Sequence, residues 1–216
     1  MRNSALLYII ALVGATSIAP AQNLISTGSS ATTFYGGALI NFQNTSSTDL
    51  RLTGQFDIHL SGVGGFNRDY SVWYKNGALS GQELSANAWT LLGTVNVAST
   101  NAQGTFTRIN VGQGLTVNAG QTIGLAFFAN GDTADGAIGY RFGANTFSDS
   151  FATITTGLGK GFAGTGNEHF NTPQTFSPRT WSGTIQYEVV PEPMTMAVLA
   201  MSFAALARRR QVRKEK

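Results

Sequence analysis

The chain has 216 residues, no cysteine, 12% charged residues and a formal net charge of +3. Without a thiol, neither a disulfide framework nor a thiolate metal centre is available, so side-chain contacts alone must hold the fold. Residues 22–190 carry seven Lys/Arg against nine Asp/Glu, whereas 208–216 carry six basic residues and one acidic; the basic excess belongs to a tail, and no nucleic-acid face is expected.

The chain opens with "MRNSALLYIIALVGATSIAPA": a positive charge at Arg2, an apolar stretch from Ala5 to about Ile18, and Ala19-Pro20-Ala21. That order predicts a signal peptide over 1–21, cut at the A-x-A site after Ala21, with a mature chain starting at Gln22. The segment 22–189 is long enough to bury the core of one domain. Residues 22–33, rich in Ser, Thr and Gly, are expected to be irregular.

The clearest strand is "LRLTGQFDIHL" (50–60). Leu50, Leu52, Phe56, Ile58 and Leu60 share one parity, and Arg51, Thr53, Gln55, Asp57 and His59 the other, the period of a strand with one buried face. Gly54 falls on the apolar parity and predicts a bulge or a close crossing. Further strands are predicted at 69–75, closed by Asn76-Gly77 as a hairpin turn, then at 88–97, 104–111, 121–129, 136–142, 150–156 and 181–189. The Gly-rich stretch 157–179 reads as a long loop. Many short strands between Gly-rich turns, with no convincing helical period, predict an all-β antiparallel sandwich or jelly roll.

Few residues in this domain suggest chemistry. Gly159-x-Gly161-x-x-Gly164 has dinucleotide spacing, but "FAGTGNEHFNTP" after it is a poor helix, so no cofactor is expected. Asp132 and Asp135 in "NGDTADG" are the candidate calcium ligands; the competing reading is a solvated turn, since no bidentate acid follows. His59 and His169 lack partners at catalytic or metal spacing, and no catalytic residues or metal site are predicted. Phe56, Tyr70, Tyr74, Phe106, Phe127 and Phe142 are expected to fill the core. Trp73, on the parity opposite Val72 and Tyr74, and Trp181 are the candidate glycan contacts, with an aromatic in 157–181 as the alternative platform. A non-catalytic role is expected; a glycan-binding module is the alternative, and a secreted hydrolase with carboxylates from distant strands the third reading.

The last 28 residues, "VVPEPMTMAVLAMSFAALARRRQVRKEK", differ in kind. Met194–Ala207 would make a helix of about 21 Å, a short span for a hydrocarbon layer of about 30 Å, with Arg208, Arg209 and Arg210 kept cytoplasmic. Val190-Pro191-Glu192-Pro193, the apolar run and the arginines, in that order, resemble the PEP-CTERM sorting signal read by exosortases of Gram-negative bacteria that make exopolysaccharide. The resemblance covers 190–216. It implies recognition of Pro191, Glu192 and Pro193 by an exosortase, transient anchoring in the inner membrane, cleavage near Pro191–Pro193, and delivery to the cell surface or an extracellular, exopolysaccharide-bearing matrix or biofilm. "VWYKNGALSG", "WTLLGTVNV", "LTVNAGQTIGLAFF" and "RTWSGTIQYEV" look like the β-sandwich domains that often precede such tails, and no catalytic residue carries over from that likeness.

Overall fold

The computed structural model describes residues 22–191, apart from 29, 63–64, 81–82, 84, 100–104, 165–167 and 173. Ala19 and Ala21, expected to mark a signal-peptidase site, and the tail from Glu192 onward lie outside the described residues. Within them the chain is all-β and antiparallel, as expected. In chain order the strands are β1 (Gln22–Ser26), β2 (Thr33–Tyr35), β3 (Gly37–Asn44), β4 (Leu50–His59), β5 (Phe66–Asn76), β6 (Thr90–Ser99), β7 (Phe106–Asn110), β8 (Leu115–Val117), β9 (Thr122–Ala129), β10 (Ile138–Phe142), β11 (Thr146–Ser148), β12 (Ala152–Lys160), β13 (Thr175–Phe176), β14 (Arg179–Trp181) and β15 (Gly183–Val189). A 3₁₀ turn, Ala86–Ala88, precedes β6, and a single turn of helix, α1 (Glu168–Asn171), follows β12.

One sheet runs β1-β15-β4-β7, with β8 also on β4; a second runs β11-β12-β3-β9-β5-β6, with β13 on β12; a small third sheet is β14-β10-β2. Alternation decides how the first two meet. Leu50, Leu52, Phe56 and Ile58 of β4, with Ile185 and Tyr187 of β15, share one buried cluster with Ile40 and Phe42 of β3, Val72 of β5, and Leu125 and Phe127 of β9. Two inner faces thus close on a common core in a sandwich arrangement. Gly54 does what its parity predicted: at φ +79°, a Cβ there would lie 2.3 Å from the carbonyl oxygen of Gln113. The β4–β15 register also shifts beside it, between Ile185 and Tyr187.

The second sheet is buried on both faces. Leu39, Trp73, Ala126 and Phe128, one residue out of step with the core set, form a second cluster with Leu158, Trp89 and Phe170 of α1. Strands covered on both sides read as continuous apolar runs rather than alternations, which is why β3, "GALINFQN", carries no period-2 signal. The expected loop 157–179 is corrected for a related reason. β12 continues to Lys160, and a register shift between Thr156 and Leu158 turns Leu158 to the outer cluster, whereas Ile154 remains in the core.

Two other expectations are corrected. Residues 22–26 are not irregular: β1 pairs residue for residue with β15, from Gln22 opposite Glu188 to Ser26 opposite Thr184. Asn76-Gly77 is not a hairpin turn. Gly77, at φ +81°, donates its N–H to Thr122 O at 3.0 Å, and β6 pairs with β5 only from Thr90 opposite Tyr74. The intervening residues carry Leu79 and Trp89 onto the outer cluster; burying those side chains outweighs the local preference for a two-residue turn.

Candidate functional site

The turn between β9 and β10 is built around a side chain from β5. Arg68 Nε donates to Asn130 O at 2.7 Å, Nη1 to Thr133 O at 2.7 Å and Asp135 O at 2.8 Å, and Nη2 to Ala129 O at 3.0 Å and to Gly131 O. All five guanidinium protons are used. Burial lowers the Arg68 pKa, with Tyr70, Asp132 and Asp135 opposing it. The carbonyls that a calcium ion at Asp132 and Asp135 would share face a guanidinium, and the two carboxylate side chains stand exposed around it. Among the described residues, no three His, Cys, Asp or Glu are grouped to hold a metal.

Neither candidate tryptophan offers a ring face. Trp181 is 1% exposed and stacked on Phe127 at 4.6 Å. Trp73 is 9% exposed; its Nε1 donates to Ser71 Oγ at 3.1 Å, and its ring meets Phe170 edge-on. The parity argument put Trp73 on the correct side, but α1 and the 3₁₀ turn cover that side. Under the same cover His169 stacks on Phe128 at 4.5 Å, and burial, followed by the Arg68 charge, pushes its pKa down to about 4. Lys160, wholly buried, reaches Phe170 O at 3.2 Å and Thr175 Oγ1 at 3.0 Å; burial lowers its pKa, with Glu83 opposing. No catalytic geometry arises from these groups: His169 Nε2 sits 3.3 Å from Asn130 Oδ1, and the stacked ring is sealed from solvent.

An exposed aromatic site does occur, at the rim of the third sheet. Tyr140 opposes Trp181 across β10 and β14, and two residues further on Phe142 opposes Arg179. Cross-strand partners share a face. Along this face Ile138, Tyr140 and Trp181 are buried, whereas Phe142 is 67% exposed. The strand pair therefore runs past the edge of the core, which corrects the expectation that Phe142 fills it; parity fixes a face but not where that face emerges. The Arg179 guanidinium carbon lies 4.4 Å from the Phe142 ring centre, 5.5 Å from Phe176 and 5.7 Å from Tyr140, all within cation–π range. Tyr35 continues the cluster, 4.8 Å from Phe176 and 5.6 Å from Phe162.

Gly159 explains the glycine spacing. A Cβ there would sit 2.9 Å from the Tyr140 ring, so the first glycine of the motif makes room for a phenol rather than a phosphate. Burial pushes that phenol up to about 12, against the pull of Arg179. The ion pairs among the described residues are Lys75–Glu83 and Arg108–Asp57, so no carboxylate among the described residues pairs with Arg179. Its Nη1 donates to Pro178 O at 2.9 Å. The rim thus presents an exposed apolar ring face next to a guanidinium. Of the aromatics within 157–181, Phe162 and Phe176 belong to this cluster and are half-buried; Phe142, its most exposed member, lies before that range.

His59 is enclosed rather than solvent-facing. It is 3% exposed, with Phe34 edge-on at 5.4 Å, and its Nδ1 accepts from the Ala31 N–H at 3.2 Å. Asp57 instead forms a two-bond fork with Arg108, at 2.8 and 3.0 Å. On the outer face of the first sheet, Gln22, Arg51, Thr53, Gln55 and Glu188 line an open polar depression of about 350 Å³.

Where the expected sorting motif begins, Val190 donates its N–H to Asp49 O at 2.9 Å, and Pro191 after it is exposed. Glu192, Pro193 and Arg208–Arg210 lie outside the described residues. Among the described residues, no helix is long and apolar enough to cross a membrane.

No protein-family model matches the chain, and no curated protein matches it. Solved structures of infectious bursal disease virus are weakly similar. The Gx strain structure is 16% identical, with 90% of this chain and 48% of that chain covered and a TM-score of 0.24. The Gt strain structure is 15% identical over 90% and 48%, with a TM-score of 0.23; the VP2 subviral particle is 17% identical over 91% and 50%, with a TM-score of 0.21. The chain spans about half the length of these viral chains, and likeness at this level carries no argument about its function.

Proposed function

We propose that this chain is a non-catalytic exported protein of the cell surface or extracellular matrix, sorted by an exosortase through its C-terminal segment and associated with exopolysaccharide. In this reading residues 1–21 direct export and are removed. Met194–Ala207 hold the precursor in the inner membrane, Arg208–Arg210 stop and orient it, and Pro191-Glu192-Pro193 is the recognition step. The observation that carries the reading is where the sheet lets go of the chain: the hydrogen bond from Val190 to Asp49 is followed at once by exposed Pro191. Pro191, the first residue of the motif, is thus open to a membrane enzyme without opening the core.

The test replaces Pro191, Glu192 and Pro193 with alanine in the native host and takes the intact mass of the protein from membrane, surface and supernatant fractions. Wild-type protein should lack Met1–Ala21 and the residues after about Pro191, whereas the variant should stay in membranes and end at Lys216. Normal release of the variant would refute the sorting step.

A further inference from the structure

We propose that the Phe142–Arg179 rim is a binding site for an acidic saccharide: one pyranose ring carrying a carboxylate. Phe142 is 67% exposed although its neighbours along the same face are buried, so a large apolar surface is held open to solvent at a fixed place. Phe176, half-buried, lies against the same guanidinium, and half-buried Tyr35 and Phe162 follow from it ring by ring away from the rim. The C–H face of a pyranose is apolar and flat enough to lie on such a ring, while its hydroxyls stay in water.

The guanidinium selects among sugars. Arg179 spends Nη1 on Pro178 O and interacts with the Tyr140 phenol beneath it, and among the described residues no carboxylate lies within ion-pair distance of it. Contacts with three rings restrain it, so little side-chain freedom is lost on binding. A planar guanidinium matches a carboxylate in shape and charge. A neutral sugar would gain the stacking contact alone. Single-stranded nucleic acid also offers rings and anions, but it needs cations in series along its backbone, and the rim supplies one. Arg141, next along β10, is held by Ser30 Oγ at 2.7 Å and Thr27 O at 3.1 Å and leans on Phe147.

The inference rests on the reading of an exported matrix protein for why the chain meets polysaccharide, and on the rim alone for how it holds it. The full chain, purified in detergent, is titrated calorimetrically with a galacturonate oligomer, a neutral galactose oligomer of equal length, inorganic phosphate and a short single-stranded DNA. The galacturonate oligomer should bind about tenfold or more tightly than its neutral counterpart, and phosphate should not displace it. Phe142→Ala, at an exposed position, should keep the melting temperature and lose binding about tenfold, and Arg179→Gln should abolish the preference for the acid. Affinity unchanged in Phe142→Ala overturns the proposal, because it places binding on the basic tail that both proteins share. Equal affinity for the neutral oligomer, tighter DNA binding, or no binding by the wild type also overturns it. None of these outcomes bears on processing, which the mass measurement reads separately.

Discussion

Arg68 holds the β9–β10 turn by charge-assisted hydrogen bonds to five carbonyls, so replacing it leaves the turn without its donors. Arg68→Met should destabilise the domain by about 3 kcal/mol, the scale of buried polar groups left unsatisfied, measured as a lowered urea midpoint. Arg68→Lys, with three donors instead of five, should recover only part; a wild-type midpoint in Arg68→Met would mean that water serves the carbonyls equally well. His169 makes the domain acid-sensitive. Its folded pKa of about 4 lies below the ordinary value of about 6.5, so between those limits the unfolded chain binds a proton that the folded chain refuses. Stability contributed by neutral His169 is therefore complete above about pH 6.5, falls as the pH drops toward 4, and levels off below. The loss approaches about 3 kcal/mol at about 1.4 kcal/mol per pKa unit. Urea unfolding at pH 7 and pH 4.5 should show a smaller difference in His169→Phe than in wild type. An equal difference would place the acid sensitivity on other groups.

The outer apolar cluster joins α1, the 3₁₀ turn and the outer face of the second sheet, with Phe170 at its centre against Trp73, Trp89 and Phe128. Phe170→Ala should cost about 3 to 5 kcal/mol. It should also shift the tryptophan emission to the red as Trp73 and Trp89 meet water, while Trp181 keeps its stack on Phe127. Unshifted emission would show that the cover does not depend on this ring. How legible each element was in the sequence follows from how it is buried. β4 alternates because the outer side of its sheet meets solvent, so its bounds and its glycine were readable. β3 and the end of β12 were not, because one is covered on both faces and the other changes face at a bulge. The site was legible in kind only. Aromatics in 157–181 were singled out, but the exposure of Phe142 depends on where β10 outruns the core. The Arg68 cage left no sequence signal, since it joins a lone arginine to main-chain oxygens some sixty residues away.

The distribution of charge ties the fold to the proposed processing. The full chain is +3, yet residues 22–190 hold seven basic against nine acidic side chains, and the sheets end where the tail begins. A basic tail favours orientation at a membrane, whereas a slightly acidic domain avoids nonspecific adhesion to nucleic acid once outside. Removing both ends must therefore invert the sign of the molecule without disturbing a strand, because the last main-chain bond before the motif is Val190 to Asp49. Isoelectric focusing of host fractions should find the precursor focusing above pH 7 in membranes and the mature form below pH 7 at the surface or in the medium. The two forms should share one melting temperature, since the tail adds nothing to the sandwich in this reading. A basic form outside the cell would sink the processing step, and a lower melting temperature in the acidic form would show that the segments removed help hold the sheets together.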